Sequence, residues 1–240
     1  MEEKYYVKQI GHMEEICVQV PGSKSITNRA LLLAALSTCQ CTLSGVLFSD
    51  DSRAFLDCLL KLGFEVDVDE ENKKTCIRGT GGRIPNPHAS IYVGSAGTAA
   101  RFLTVMLALA GGQYELNASP QMCKRPMQPL LELLSGAGVE FEFQGEKGHF
   151  PFKMKSDSIC LNEVTIDTSV SSQFASALLM AGVIVKTGLN IITCGDRADG
   201  SYIKMTLKMM EQFGIDVVKE GNIYQVPYTN VFGRKEYQIE

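Results

Sequence analysis

Lys24, Arg29, Arg101, Lys124 and Arg125 are the side chains of this 240-residue sequence whose types and spacing suggest chemistry. Lys24 and Arg29 follow the turn Gly22-Ser23-Lys24-Ser25, Arg101 follows Gly94-Ser95-Ala96-Gly97-Thr98, and Lys124 and Arg125 stand just before a further helical stretch. Cations at helix starts reinforce the free backbone N–H groups and positive dipole end found there, and together these hold anions. Arginine grips phosphate or carboxylate with two parallel donors, so a small, multiply anionic ligand is the expected partner. Arg101 lies one turn into an almost wholly apolar helical run, where an unpaired charge is costly, and no carboxylate is near it in sequence. It needs an anion from elsewhere.

Other candidates read as structure. Ser23, Ser171 and Ser172 can serve as N-caps. Asp50 and Asp51 could form an acid–base pair, but they precede an amphipathic helix and read as caps. His12, His88 and His149 have no Ser, Cys or carboxylate at triad or metal spacing, so no metal site is expected. Gly79-Thr80-Gly81-Gly82 lacks the GK[ST] of a phosphate loop and reads as a hairpin turn.

The elements that must position these residues recur. Small, hydroxyl- or glycine-rich turns at 22–25, 94–98 and 169–172 each open an apolar run, at 30–36, 102–110 and 174–185, hydrophobic nearly all round as buried helices are. A strand-like stretch and an amphipathic helix follow each run, the helices predicted over 53–62, 126–137 and 201–213. Each of these ends in a glycine and a strand, and Gly63, Gly138 and Gly214 fall 75 and 76 residues apart. The pattern predicts an α/β fold of three βαβαββ-like units with pseudo-threefold symmetry, an inside-out barrel with buried helices inside and sheets and amphipathic helices outside. The units span about 22–90, 91–160 and 161–230. Outside them, residues 14–20 alternate like a strand, and 235–239 read as another strand cut off at Glu240. Both are expected to pair with a domain this chain lacks, residues 1–21 leading in from it and 235–240 crossing back.

Bulk properties narrow the class. A net charge of -4 argues against a general nucleic-acid binder or a polybasic membrane-surface protein. The longest apolar runs fall well short of a bilayer-spanning helix of about 20 residues, and no secretion signal is visible. Eight cysteines without a CxxC pair suggest reduced core thiols and a cytoplasmic protein.

Two long motifs then become recognisable. Val20-Pro21-Gly22-Ser23-Lys24-Ser25-Ile26-Thr27-Asn28-Arg29 and Gly94-Ser95-Ala96-Gly97-Thr98-Ala99-Ala100-Arg101 resemble the first and second motifs of 5-enolpyruvylshikimate-3-phosphate synthases. Lys124-Arg125-Pro126-Met127 and Ser169-Val170-Ser171-Ser172-Gln173-Phe174 resemble two more, in order, so the resemblance covers essentially the whole chain. It implies a first, substrate-binding half of a two-domain, monomeric enzyme of aromatic amino acid biosynthesis that acts without cofactor and is the target of glyphosate. The implied reaction moves the enolpyruvyl group of phosphoenolpyruvate to the 5-hydroxyl of shikimate 3-phosphate and releases phosphate. By the same resemblance Lys24, Gly97, Thr98, Arg101, Arg125 and Gln173 bind phosphoenolpyruvate. Ser25, Arg29, Ser171, Ser172, Gln173 and Tyr202 bind shikimate 3-phosphate, and Lys24, Arg101 and Arg125 stabilise charge. The proton-transfer residues fall in the second half, so the isolated chain is expected to bind without turning over.

There are departures from the family pattern. Ser95 replaces the usual Asn, Phe102 the usual Pro, and Asp199 a Ser that touches the substrate phosphate. Asp199 would repel that phosphate, which leaves Ser201 as an alternative contact. The alternatives are a UDP-N-acetylglucosamine enolpyruvyl transferase, for which Cys123 is the one candidate reactive cysteine, and a non-catalytic anion-binding module or RNA-end cyclase relative.

Overall fold

The apolar runs fold into three central helices because almost nothing on their surfaces is suited to water. In the computed structural model, which describes residues 6, 20–157, 159, 161–195, 198–229 and 231–240, these are α1 (Lys24–Leu36), α3 (Gly97–Ala110) and α6 (Ser172–Ala181), the last prolonged by a 3-10 turn at Gly182–Ile184. Residues 27–36 of α1 and 97–109 of α3 are buried without interruption.

Around them lie the amphipathic helices α2 (Asp50–Lys61), α5 (Gln128–Gly136) and α7 (Ser201–Gln212), with a one-turn helix α4 (Pro120–Cys123) in the second unit. The glycines past the three outer helices take the left-handed backbone expected of them, with φ of 85°, 105° and 85° at Gly63, Gly138 and Gly214.

The strands form three four-stranded sheets. The second contains β4 (His88–Tyr92), β5 (Gly112–Asn117), β6 (Glu140–Phe143) and β7 (Phe152–Ser156) in the order β4-β5-β7-β6. The third contains β8 (Glu163–Asp167), β9 (Leu189–Cys194), β10 (Val218–Glu220) and β11 (Ile223–Val226) in the matching order β8-β9-β11-β10. In both, the first strand runs parallel to the second across a buried helix and the remaining pairs are antiparallel. The first unit supplies only β1 (Gln40–Ser44), β2 (Val66–Asp69) and β3 (Lys74–Arg78) to its sheet.

Its vacant edge is filled by β12 (Glu236–Gln238), parallel to β1 in the register Thr42 to Glu236 and Ser44 to Gln238. This corrects the expectation for the chain end. The strand is not left unpartnered for another domain but completes the first repeat, with Tyr237 packed on Phe213 at 5.1 Å and Ile239 buried. A one-repeat reading could not see this, because the partner lies almost 200 residues away. The Ser23 N–H donates to the Glu240 carbonyl at 3.0 Å, so the start of α1 and the end of the chain lie together. The strand expected at 14–20 falls, apart from Val20, outside the described residues.

Gly79-Thr80-Gly81-Gly82 is not a hairpin turn. It links β3 to β4 in a different sheet, and its N–H groups at 79–81 donate to the carbonyls of Cys39, Ala35 and Ser37 at the end of α1. The thiols are also less uniform than expected. Cys41 and Cys58 are buried, with pKa values pushed up to about 12, chiefly by burial. Cys39, Cys76 and Cys123 are half-buried and Cys194 is exposed, while Cys17 and Cys160 lie outside the described residues.

Candidate functional site

The N-terminal ends of α1, α3 and α6 meet at one pole. Asn28 Nδ2 on α1 donates to Thr98 Oγ1 on α3 at 2.5 Å. Arg101 Nη1 on α3 donates to Gln173 Oε1 on α6 at 3.1 Å, and Arg29 Nη2 on α1 to Ser176 Oγ on α6 at 3.1 Å. Ser23 caps α1 and Ser171 caps α6, accepting from the amides of Ile26 and Gln173, so both carry the ordinary capping role. Ser172 lies in the first turn of α6 and is buried.

Arg101 is the centre of this pole. It is 4% exposed, and its Nη atoms donate to the carbonyls of Gly97 and Pro126 and to Gln173. All three acceptors are neutral. Its guanidinium lies 5.4 Å from the Phe174 ring, and its pKa falls to about 10, first through burial and then through the charge of Arg125. Arg101 Nε is buried without a hydrogen-bond partner.

Arg125 is exposed and reaches the Ser95 carbonyl at 3.5 Å. A Cβ on Gly97 would stand 2.7 Å from Nη1 of both Arg101 and Arg125. Only glycine at this first-turn position lets two guanidinium groups converge there. Two like charges held this close raise the potential of the pole and favour an anion.

Lys24 points its ammonium at Asp51 Oδ2, 3.0 Å away. Asp50 and Asp51 are therefore not caps. Ser49 caps α2 in a reciprocal pair with Ser52, and the two acids occupy the first turn, where the helix dipole favours them. Sequence gave no local signal for the Lys24–Asp51 pair, which joins two different helices.

Arg29 lies under the pole rather than open to it. At 1% exposure it donates to Thr206 Oγ1 (2.7 Å), the Ser25 carbonyl (2.9 Å), Ser176 Oγ and the Tyr202 carbonyl (3.5 Å). Its guanidinium lies between the rings of Phe102 and Tyr202, at 5.4 and 5.7 Å. Burial brings its pKa down to about 10. Ser25 and Tyr202 are thus tied to a common buried cation, with the Tyr202 ring half exposed above it.

The departures from the family pattern also find partners. Ser95 Oγ shares a hydrogen bond with Ser119 Oγ at 2.7 Å. Asp199 does not stand as an unpaired negative charge, because Lys219 and Lys204 hold it at 2.7 and 3.3 Å. Ser201 opens α7, where the N-cap Gly200 provides no side-chain bond. Cys123 turns its thiol to the Ala118 carbonyl at 3.8 Å, and His149 Nδ1 lies 2.9 Å from the Cys123 carbonyl. Neither is placed as a nucleophile or base.

Among the described residues no group of three or more His, Cys, Asp or Glu could hold a metal ion, and no helix is long and apolar enough to cross a membrane. A groove of about 620 Å³ lies on the outer face of the second sheet, but its lining of His88, Glu115, Glu140, Lys153 and their neighbours includes none of Lys24, Arg29, Arg101 and Arg125.

Fold and site define a three-repeat α/β domain that gathers helix N-termini and cations at one pole. The family model for EPSP synthase (3-phosphoshikimate 1-carboxyvinyltransferase) matches residues 8–240, and the chain belongs to that family. It is 37% identical over 224 residues to the 3-phosphoshikimate 1-carboxyvinyltransferase of Trichormus variabilis, covering 93% of this chain and 53% of that protein. It is 42% identical over 212 residues to the enzyme of that name from Neisseria gonorrhoeae, covering 88% and 49%. The EPSP synthase structure from Acinetobacter baumannii superposes with a TM-score of 0.79 at 24% identity, over 92% of this chain and 49% of that one, and shares its fold. The chain thus spans about half the length of these relatives.

Proposed function

We propose that this chain is the N-terminal, substrate-binding half of a 3-phosphoshikimate 1-carboxyvinyltransferase, taking shikimate 3-phosphate and phosphoenolpyruvate at the helix pole. The supporting observation is the convergence of Arg101 and Arg125 on Gly97, with Arg101 buried against neutral acceptors only. In this reading Lys24, Arg101, Arg125 and Gln173, with the first turn of α3 at Gly97 and Thr98, hold phosphoenolpyruvate. Ser25, Ser171, Ser172 and Tyr202 hold shikimate 3-phosphate, and Arg29 acts on it by fixing Ser25 and Tyr202 from below.

The reaction transfers the enolpyruvyl group to the 5-hydroxyl of shikimate 3-phosphate: the methylene carbon gains a proton while the hydroxyl oxygen gives up its own and bonds to the adjacent carbon, and the methyl so formed then loses a proton as the carbon–oxygen bond to phosphate breaks, which restores the double bond and releases phosphate. Lys24, Arg101 and Arg125 neutralise the carboxylate and the departing phosphate as charge develops. The proton-transfer residues belong to the second domain, so this half binds without turnover. The whole enzyme is a cytoplasmic monomer. Calorimetric titration of the chain with shikimate 3-phosphate tests the reading: a saturable isotherm with Kd of about 1 mM or tighter is expected, and no saturable heat above that range would refute it.

A further inference from the structure

Asn28 is a polar residue of the pole to which the assignments above give no role. It is fully buried in α1, next to Arg29 and one turn beyond Lys24 and Ser25. An apolar side chain is the ordinary occupant of such a position. The Asn28 carboxamide instead reaches across to α3, where Nδ2 donates to Thr98 Oγ1 at 2.5 Å, while its Oδ1 is buried without a partner. A buried acceptor left unsatisfied is a net cost to the folded state.

Among the described residues only two buried side-chain atoms lack a hydrogen-bond partner, and the other is Arg101 Nε. Thr98 and Arg101 stand three residues apart on α3 and so share a face of that helix. Arg101 Nη1 donates to the Gly97 carbonyl at 3.0 Å. Both unsatisfied atoms therefore belong to side chains that grip the first turn of α3, one from within the helix and one from α1.

That turn needs an outside hold. Serine side chains cap α1 and α6, but Ala96 gives α3 no side-chain cap. A cap would order the turn by occupying the free amides that an anion uses. A bond from Asn28 to the Thr98 side chain orders the same turn and leaves its amides free.

We propose that Asn28 is a positioning residue for phosphoenolpyruvate: it fixes the first turn of α3 through Thr98, and so sets the Gly97 backbone and the Arg101 guanidinium against the anion. The inference rests on the proposed substrate-binding role of the pole. It differs from a packing role in its consequence for stability, because two apolar side chains of similar shape would serve the seam between α1 and α3 at least as well as a half-satisfied polar pair.

The test uses Asn28→Leu, Thr98→Val and the double variant. Each is unfolded in urea and titrated by calorimetry, first with shikimate 3-phosphate and then with phosphoenolpyruvate in the shikimate 3-phosphate complex. The double variant, apolar on both sides of the seam, should have a urea midpoint no lower than wild type. It should bind phosphoenolpyruvate about tenfold more weakly and shikimate 3-phosphate within about twofold of wild type. Because Asn28 acts through Thr98, the loss in the double variant should match that of Asn28→Leu alone and fall short of the product of the two single losses. A double variant that does not fold, that loses both ligands equally, that shows the full product of the single losses, or that keeps phosphoenolpyruvate within about twofold of wild type overturns this inference and leaves the role of the pole standing. Failure of the wild type to bind phosphoenolpyruvate overturns both.

Discussion

Replacing Arg29 separates stability from function at this site. The guanidinium is buried, no carboxylate is among its partners, and its pKa drops from 12.5 to about 10. Keeping it charged costs the folded state about 3 kcal/mol at neutral pH, at about 1.36 kcal/mol per tenfold change in proton affinity. Because the folded pKa is the lower one, the penalty is fully present below about pH 10 and is relieved only as pH climbs from there towards 12.5. Arg29→Met removes the charge and keeps most of the stem volume. It also forfeits charged hydrogen bonds and two ring contacts, but Thr206 keeps the Tyr202 carbonyl at 2.8 Å and Ser176 Oγ at 3.0 Å.

The opposing effects nearly cancel, so Arg29→Met should unfold in urea within about 1 kcal/mol of wild type, or be more stable. Arg29→Ala opens a cavity between Phe102 and Tyr202 and should lose about 3 kcal/mol. Both should bind shikimate 3-phosphate at least about tenfold more weakly, since Ser25 and Tyr202 lose their common anchor. The assay is urea unfolding beside calorimetry on the same preparations. A loss above about 3 kcal/mol in Arg29→Met would mean that the cation is a structural keystone. Unchanged affinity in both variants would remove it from the site.

Two further perturbations probe the pole and the chain end. Gly97→Ala pushes both guanidinium ends back by about 1 Å towards ordinary contact distance. Only flexible side-chain ends are struck, so Tm should fall by no more than about 4 °C. Phosphoenolpyruvate affinity in the shikimate 3-phosphate complex should drop about tenfold or more, and an unchanged value would contradict the placement. Deleting residues 235–240 strips β12 from β1 and exposes Tyr237 and Ile239 contacts worth about 3–6 kcal/mol, so the urea midpoint should fall steeply and the bared edge should promote aggregation. An unchanged midpoint would show that β12 adds nothing to the first sheet.

What could be read from sequence is what repeats or has a local signature. The three apolar runs, the left-handed glycines behind the outer helices and the cations at helix starts all depend on residues within a few positions of one another. Arg101 announced itself as a charge in an apolar run, and the structure places it in the pole. The features that escaped are long-range. β12 pairs with a strand almost at the other end of the chain, Lys24 finds Asp51 on another helix, and Asp199 is neutralised by Lys219 from an edge strand. Arg29 read as a cation at a helix start, open to an anion, but packing of α1 against α6 and α7 turns it inward. No periodicity encodes which way a long side chain turns once three helices close around it.

The account turns on one claim, that the starts of α1, α3 and α6 form a single anion site. Amide chemical shifts of isotopically labelled chain, followed as shikimate 3-phosphate is added, test it most directly. Ser25, Thr98 and Ser172 should shift together and titrate with one common Kd. Shifts confined to the outer sheet face around Lys153, or separate dissociation constants for the three helix starts, would contradict it.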